Sequence, residues 1–125
     1  MEGGPGALSG KCVLVIEDDF IIATLIEDLL LEEGCNVFGP FGTLAAALEA
    51  AQQECFDIAL LDVNLAGEKV YPVAEVLAAR QIPFVFLSGY GATAIPPGHP
   101  EWTVCHKPFR TTDLLNVLSR ALANP

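Results

Sequence analysis

Basic residues are scarce in this sequence: six lysines and arginines stand against sixteen aspartates and glutamates, for a net charge of −10. Such a surface repels phosphate backbones and anionic lipid headgroups, so direct binding of nucleic acid or of a membrane is not expected. No apolar run approaches the roughly 18 residues that a membrane span needs. The opening MEGGPGALSGK also lacks the basic and apolar regions of a secretion signal. We therefore expect a cytoplasmic protein.

Closely spaced metal-ligating or disulfide-forming residues are also missing. The four cysteines, Cys12, Cys35, Cys55 and Cys105, include no C-x-x-C pair, and the chain has two histidines. Cysteine packs well as a small apolar residue. We therefore predict buried thiols in a reducing compartment, rather than a disulfide framework or a thiolate metal centre.

Apolar residues, in contrast, are abundant. They make up 52% of the 125 residues, while charged residues make up 18%. This composition argues against disorder, and the length suits one ordinary domain. We expect a flexible segment over residues 1–10, one domain over residues 11–123, and no separate output domain.

Short apolar runs alternate with segments of helical periodicity. The runs predict strands over residues 12–16, 35–39, 57–61, 84–87 and 102–105. Helices are predicted between them, with Gly34 ending the first, Thr43 capping the second, and the third starting near Lys69. Continuously apolar strands that alternate with helices indicate an α/β fold, with one parallel five-stranded sheet covered by helices on both faces. Glycines and prolines between Ser88 and Trp102 predict that the fourth helix is short or missing.

Polar side chains stand where these strands end. Glu17 and Asp18 end the first, Asp62 the third, Ser88 the fourth, and Lys107 follows the fifth. Ligands of open α/β sheets bind beyond the carboxyl ends of the strands. If the first and third strands are neighbours, three carboxylates converge there and repel one another, so a cation must offset them.

A hard divalent cation suits such a cluster. Mg²⁺, or Mn²⁺ in its place, takes oxygen ligands, which Asp18 and Asp62 can supply together with a loop carbonyl, for which Asn64 is the candidate. Lys107 and Ser88 could then hold the oxygens of a phosphoryl group. Asp62 becomes a candidate nucleophile, because carboxylates can form aspartyl-phosphate intermediates.

Four ordered motifs, VLVIEDD, ALLDVNLAG, FVFLSGYG and HKPF, resemble the response regulator receiver domains (CheY-like) of two-component signalling, over residues 11–122. The resemblance implies a flavodoxin-like (βα)5 fold with strand order 2-1-3-4-5. It also implies that Asp62 is a phosphoacceptor for the histidine of a sensor kinase or phosphotransfer protein. The protein would then signal to a downstream protein that the sequence does not identify, and would not be an enzyme.

The same resemblance assigns roles around the acceptor. Asp18 would bind Mg²⁺ directly, Glu17 would bind it through water, and the main-chain oxygen of Asn64 would complete the site. Lys107 would pair with the phosphoryl oxygens, and its bond to Pro108 would be a cis peptide.

The switch elements match the family less closely. Ser88 corresponds to the switch Ser/Thr that turns toward the phosphoryl group, and Gly89 to the small residue that leaves the acceptor accessible. Val104 occupies a position, three before the lysine, where the family often has an aromatic residue, and Tyr90 is a candidate replacement.

Three alternatives stay open. One is a receiver fold that docks on a partner without being phosphorylated. Another is a small aspartyl-phosphate phosphatase, although such enzymes carry a general acid where this chain has Asn64. The third is a nucleotide carrier, which the acidic run Glu17, Asp18 and Asp19 disfavours, because it would repel a phosphate.

Overall fold

The computed structural model describes residues 8–53, 55–89, 95–96, 98–99 and 101–123. The strands are β1 (Cys12–Ile16), β2 (Asn36–Phe41), β3 (Ile58–Asp62), β4 (Asn64–Leu65), β5 (Glu68–Lys69), β6 (Phe84–Ser88) and β7 (Thr103–His106). The helices are α1 (Phe20–Glu32), α2 (Leu44–Ala51), α3 (Tyr71–Ala79) and α4 (Thr111–Ala123).

The five longer strands form one parallel sheet in the order β2-β1-β3-β6-β7. Counted among themselves, these strands have the predicted order 2-1-3-4-5. Alternate residues of the central strands enter two separate cores: Leu14 and Leu61 pack with α2 and α3, whereas Val13 and Leu60 pack with α1 and α4. The predicted doubly wound, flavodoxin-like fold is therefore confirmed.

Two local signals, Gly34 and Thr43, lie where the sequence analysis predicts them, and Asp19 provides a further helix cap. The Asp19 side chain caps α1 by accepting hydrogen bonds from the Ile21 and Ile22 amides. Gly34 follows that helix with a φ of +85°, a backbone conformation that favours glycine. Thr43 caps α2 by accepting from the Ala46 amide.

Two element boundaries differ from the predictions. The second strand continues to Phe41, two residues beyond its predicted end, and the Glu17 amide donates to the Phe41 carbonyl. The third helix begins at Tyr71 rather than near Lys69, because Glu68 and Lys69 pair with Leu65 and Asn64 in an antiparallel hairpin. The sequence analysis does not predict this hairpin.

The described part of the β6–β7 connection contains turns and bends but no helix, which agrees with a short or missing fourth helix. Trp102 is buried there and packs edge-on against Phe84. The His99 ring stacks on Trp102, with ring centroids 3.7 Å apart, and its Nε2 lies 3.3 Å from Glu75 Oε2 on α3. These contacts hold the connection against the α2–α3 face of the sheet.

All four cysteines are free, but they are not uniformly buried. Cys35 and Cys105 are buried, Cys12 is partly buried, and Cys55 is exposed. The prediction of buried thiols is therefore wrong for Cys55, because this residue lies in the exposed loop before β3 rather than in the core.

None of the described helices combines the length and apolar character that crossing a membrane requires.

Candidate functional site

The predicted strand-end residues meet at one edge of the sheet. Strand pairing places Ile16 beside Leu61 and Asp62 beside Leu87, so the ends of β1, β3 and β6 lie next to one another. A cleft of about 430 Å³ opens at this edge. Its lining includes all five predicted strand-end residues and four neighbours: Glu17, Asp18, Asp19, Asp62, Val63, Asn64, Ser88, Gly89 and Lys107.

Lys107 bridges two buried carboxylates. Its Nζ lies 3.3 Å from Asp62 Oδ1 and 3.2 Å from Glu17 Oε1. The Lys107 amide donates to the Ser88 carbonyl at 2.8 Å, which fixes the lysine backbone beside the end of β6. Burial lowers the pKa of the ammonium, but attraction by Asp62 and Glu17 outweighs burial and raises that pKa above its ordinary value. Lys107 is therefore a fixed positive charge beside Asp62.

Glu17 is the most deeply placed carboxylate of the cleft, with a fully buried side chain. Its Oε2 accepts a hydrogen bond from the Asp19 amide at 3.1 Å. Burial raises the pKa of Glu17 to about 7, and the adjacent Asp62 carboxyl adds to the rise. A negative charge at Glu17 is therefore costly unless a second cation offsets it.

The donor set fits a hard divalent cation. Glu17, Asp18 and Asp62 can each offer one carboxylate oxygen, and these oxygens lie within 4.8 Å of one another. In the described ranges of the chain, no other group of three His, Cys, Asp or Glu side chains meets this condition. Oxygen donors are the ligands that Mg²⁺ and Mn²⁺ prefer. Three carboxylates beside one ammonium leave negative charge that such an ion would neutralise.

Asp18 is held in place by a contact that the sequence does not predict. Its Oδ2 accepts a hydrogen bond of 2.9 Å from the Ala66 amide, in the turn between β4 and β5. The donor is a backbone group, which every residue except proline possesses. Residue identity therefore gives no signal for this contact.

The remaining predicted residues fall into three groups. Asn64 is exposed at the cleft, and Gly89 also lines it, where an added Cβ would meet no atom within 4 Å. Val104 is partly buried against the α2–α3 core, while the Lys107–Pro108 peptide bond is cis, as the resemblance implies. Tyr90 lies outside the described residues.

Replacing Glu17 with glutamine is expected to stabilise the metal-free protein at about pH 8. Because the pKa of Glu17 is raised to about 7, the folded state binds this proton more tightly than the unfolded chain. The resulting stabilisation is complete below the ordinary glutamate pKa and is lost as the pH rises through about 7. Over this pH rise, the free energy of unfolding of the wild type should fall by at most about 3 kcal/mol on account of Glu17.

Urea unfolding in EDTA at about pH 5 and about pH 8 measures this difference. Glu49→Gln, which removes an exposed carboxylate of α2, is the matched control. Mg²⁺ should stabilise the wild type more than it stabilises Glu17→Gln. An equal pH dependence in the wild type and Glu17→Gln would contradict the prediction.

Comparison with known proteins identifies the family. The model for the response regulator receiver domain matches residues 13–119. The phyllosphere-induced regulator PhyR of Methylorubrum extorquens is 29% identical over 114 residues, which cover 88% of this chain and 43% of that protein. The chain thus spans less than half of the length of this relative.

Two solved structures extend the comparison. The solution structure of SdrG from Sphingomonas melonis Fr1 is 39% identical, with a TM-score of 0.78 over 94% of this chain and 98% of that chain. The receiver domain of the sensor histidine kinase PA1611 from Pseudomonas aeruginosa, solved with a magnesium ion in its active site cleft, shares the fold: 23% identity, TM-score 0.77, 93% of this chain and all of that chain. The chain belongs to the response regulator receiver domain family.

Proposed function

We propose that this receiver domain accepts a phosphoryl group on Asp62 in an Mg²⁺-dependent reaction, and then signals through protein contacts in the cytoplasm. The donor would be a phosphohistidine of a sensor kinase or of a phosphotransfer protein. The observation that carries the proposal is the Lys107 ammonium, 3.3 Å from Asp62 Oδ1, in a cleft whose other charged side chains are carboxylates.

The side chains around Asp62 support a phosphoryl transfer. An Asp62 oxygen would attack phosphorus as the bond from phosphorus to the histidine nitrogen breaks, and the electron pair of that bond would stay on the imidazole. Lys107 and Ser88 would then interact with the oxygens of the transferred group. Asp62 lines the cleft and is otherwise buried, with only 7% of its surface exposed. A donor would therefore reach the carboxylate through the cleft.

The metal site would be formed by residues on two strand ends. Asp18 and Asp62 would bind Mg²⁺ directly, Glu17 through a water molecule, and Asn64 through its main-chain oxygen. When bound, the ion would neutralise charge on the carboxylates and on the phosphoryl oxygens. The magnesium ion in the cleft of the PA1611 receiver domain supports this choice of cation, and Mn²⁺ is the alternative with similar ligand preferences.

The proposal is tested by the rate of phosphoryl uptake from acetyl phosphate, followed by intact protein mass. We expect uptake with Mg²⁺ and none above background with excess EDTA. Uptake that is equally fast in EDTA would contradict the proposed metal dependence. If no uptake occurs under either condition, a module that docks without phosphorylation becomes the better interpretation.

An apolar surface on α1 supports a protein donor. Phe20 and Ile21 are 82% and 78% exposed, and they follow the cleft residues Asp18 and Asp19 directly. Adjacent exposed apolar side chains form a contiguous patch, and such patches mark protein contact sites. Because the donor must reach Asp62, we propose that the protein surface around its phosphohistidine packs on this first turn of α1.

Replacing Ile21 with serine is expected to slow phosphoryl transfer from a phosphorylated histidine kinase by about tenfold, because one central apolar contact is lost. The rate with acetyl phosphate should not change. Leu31→Ser is the matched control, since Leu31 is also exposed but lies about 15 Å farther along the helix. Equal slowing with both donors would mean that Ile21 acts on the site itself, not on docking.

A further inference from the structure

The β4–β5 hairpin beside the cleft carries an exposed lysine, Lys69. Asn64 is paired with Lys69 across the hairpin, and Leu65 is paired with Glu68. Leu65 is fully buried in the α2–α3 core, which fixes the hairpin against the sheet. Because side chains alternate along a strand, Asn64 lies on the face opposite to Leu65.

This pairing places Lys69 beside the cleft residue Asn64, although Lys69 itself does not line the cleft. Directly opposed residues of an antiparallel pair have their Cβ atoms about 5 Å apart on the same face. Asn64 lines the cleft, and the Ala66 amide ties the hairpin turn to Asp18. Lys69 forms no ion pair with any residue in the described part of the chain. Its ammonium can therefore interact with a ligand.

The charged side chains that line the cleft beside Lys69 are mainly negative. Four carboxylates line the cleft, and the Lys107 ammonium already lies within 3.3 Å of two of them. The protein as a whole carries a net charge of −10. An anionic phosphodonor is repelled by such a surface as it approaches. A positive charge beside the cleft reduces that repulsion and raises the local donor concentration.

We propose that Lys69 recruits the anionic phosphodonor to the cleft, an inference that rests on the proposed function of Asp62. With acetyl phosphate, an Asp62 oxygen forms the new bond to phosphorus while the bond from phosphorus to the acetyl oxygen breaks. Acetate leaves with the bonding electron pair. Lys69 exchanges no proton in this step, so it lowers the half-saturating donor concentration and leaves the maximal rate unchanged.

The test compares Lys69→Gln with the wild type, with acetyl phosphate as donor at saturating Mg²⁺. The half-saturating donor concentration should rise roughly three- to tenfold in Lys69→Gln. Lys69→Arg should restore it, because the charge is kept. The difference between wild type and Lys69→Gln should shrink as sodium chloride is added, since salt screens exposed charges.

Two further measurements separate recruitment from a structural role. Lys11→Gln makes the same change of charge just before β1, at the amino ends of the strands, and should behave as the wild type. Mg²⁺ affinity, measured by calorimetry, should be unchanged or tighter in Lys69→Gln, because a nearby positive charge is removed. A lysine that merely supported the hairpin would weaken Mg²⁺ binding when replaced.

The inference is overturned if Lys69→Gln has the half-saturating concentration of the wild type, if Lys11→Gln shows the same rise, or if Lys69→Gln weakens Mg²⁺ binding. These results would leave phosphorylation of Asp62 intact. A wild type that takes up no phosphoryl group would instead overturn the proposed function, and the role of Lys69 with it.

Discussion

Replacing Asp62 with asparagine is expected to abolish phosphoryl uptake from acetyl phosphate. The amide keeps the size of the side chain but lacks the nucleophilic carboxylate oxygen. Because Asp62 ends β3 and pairs with Leu87 through the backbone, the strand itself is unaffected by this change. Intact protein mass after donor treatment measures the loss directly.

Asp28→Asn is the matched control for this variant. Asp28 is exposed on α1 and does not line the cleft, so its replacement should leave uptake at the level of the wild type. Thermal unfolding of both variants shows whether the fold is retained. Uptake by Asp62→Asn at the rate of the wild type would place the acceptor elsewhere.

Replacing Lys107 with glutamine is expected to slow phosphoryl uptake by about 100-fold or more, because a preorganised positive charge beside the reacting carboxylate is lost. The ammonium lies 3.3 Å from Asp62 Oδ1, and its raised pKa keeps it charged throughout the neutral range. The same change leaves Glu17 and Asp62 without their cation, so the metal-free variant should also be less stable near neutral pH.

Intact protein mass at successive times after addition of acetyl phosphate gives the rate of phosphoryl uptake by Lys107→Gln. Urea unfolding in EDTA gives the stability of this variant. Lys11→Gln serves as the control for loss of one positive charge. A Lys107→Gln protein that is phosphorylated as fast as the wild type would exclude a role for the ammonium in the transfer, even if its stability fell.

The core of the fold and the positions of the main site residues could be predicted because the signals are strong and local. Strands buried on both faces are continuously apolar, and they end abruptly where charged residues begin. Parallel strands end at one edge of the sheet, and the strand order implied by the family resemblance makes strands one and three neighbours, which brings Asp18 and Asp62 together.

Other features left no usable signal. The strands of the β4–β5 hairpin are two residues long, too short for an alternating pattern to appear. Because this strand pairing cannot be predicted from the sequence, the position of Lys69 beside Asn64 cannot be predicted either. The extension of β2 to Phe41 could not be predicted, because Pro40, Phe41 and Gly42 also fit a turn. The exposure of Cys55 depends on a loop conformation that residue type does not determine.

Phosphorylation of Asp62 is tested most directly by the intact mass of the wild-type protein after acetyl phosphate and Mg²⁺, measured again after hydroxylamine and followed by peptide mapping. We expect the protein to gain one phosphoryl group, on the peptide that contains Asp62, and to lose it in hydroxylamine, which cleaves acyl phosphates. A protein that gains no phosphoryl group, or that keeps it in hydroxylamine on another peptide, would contradict an aspartyl phosphate at this site.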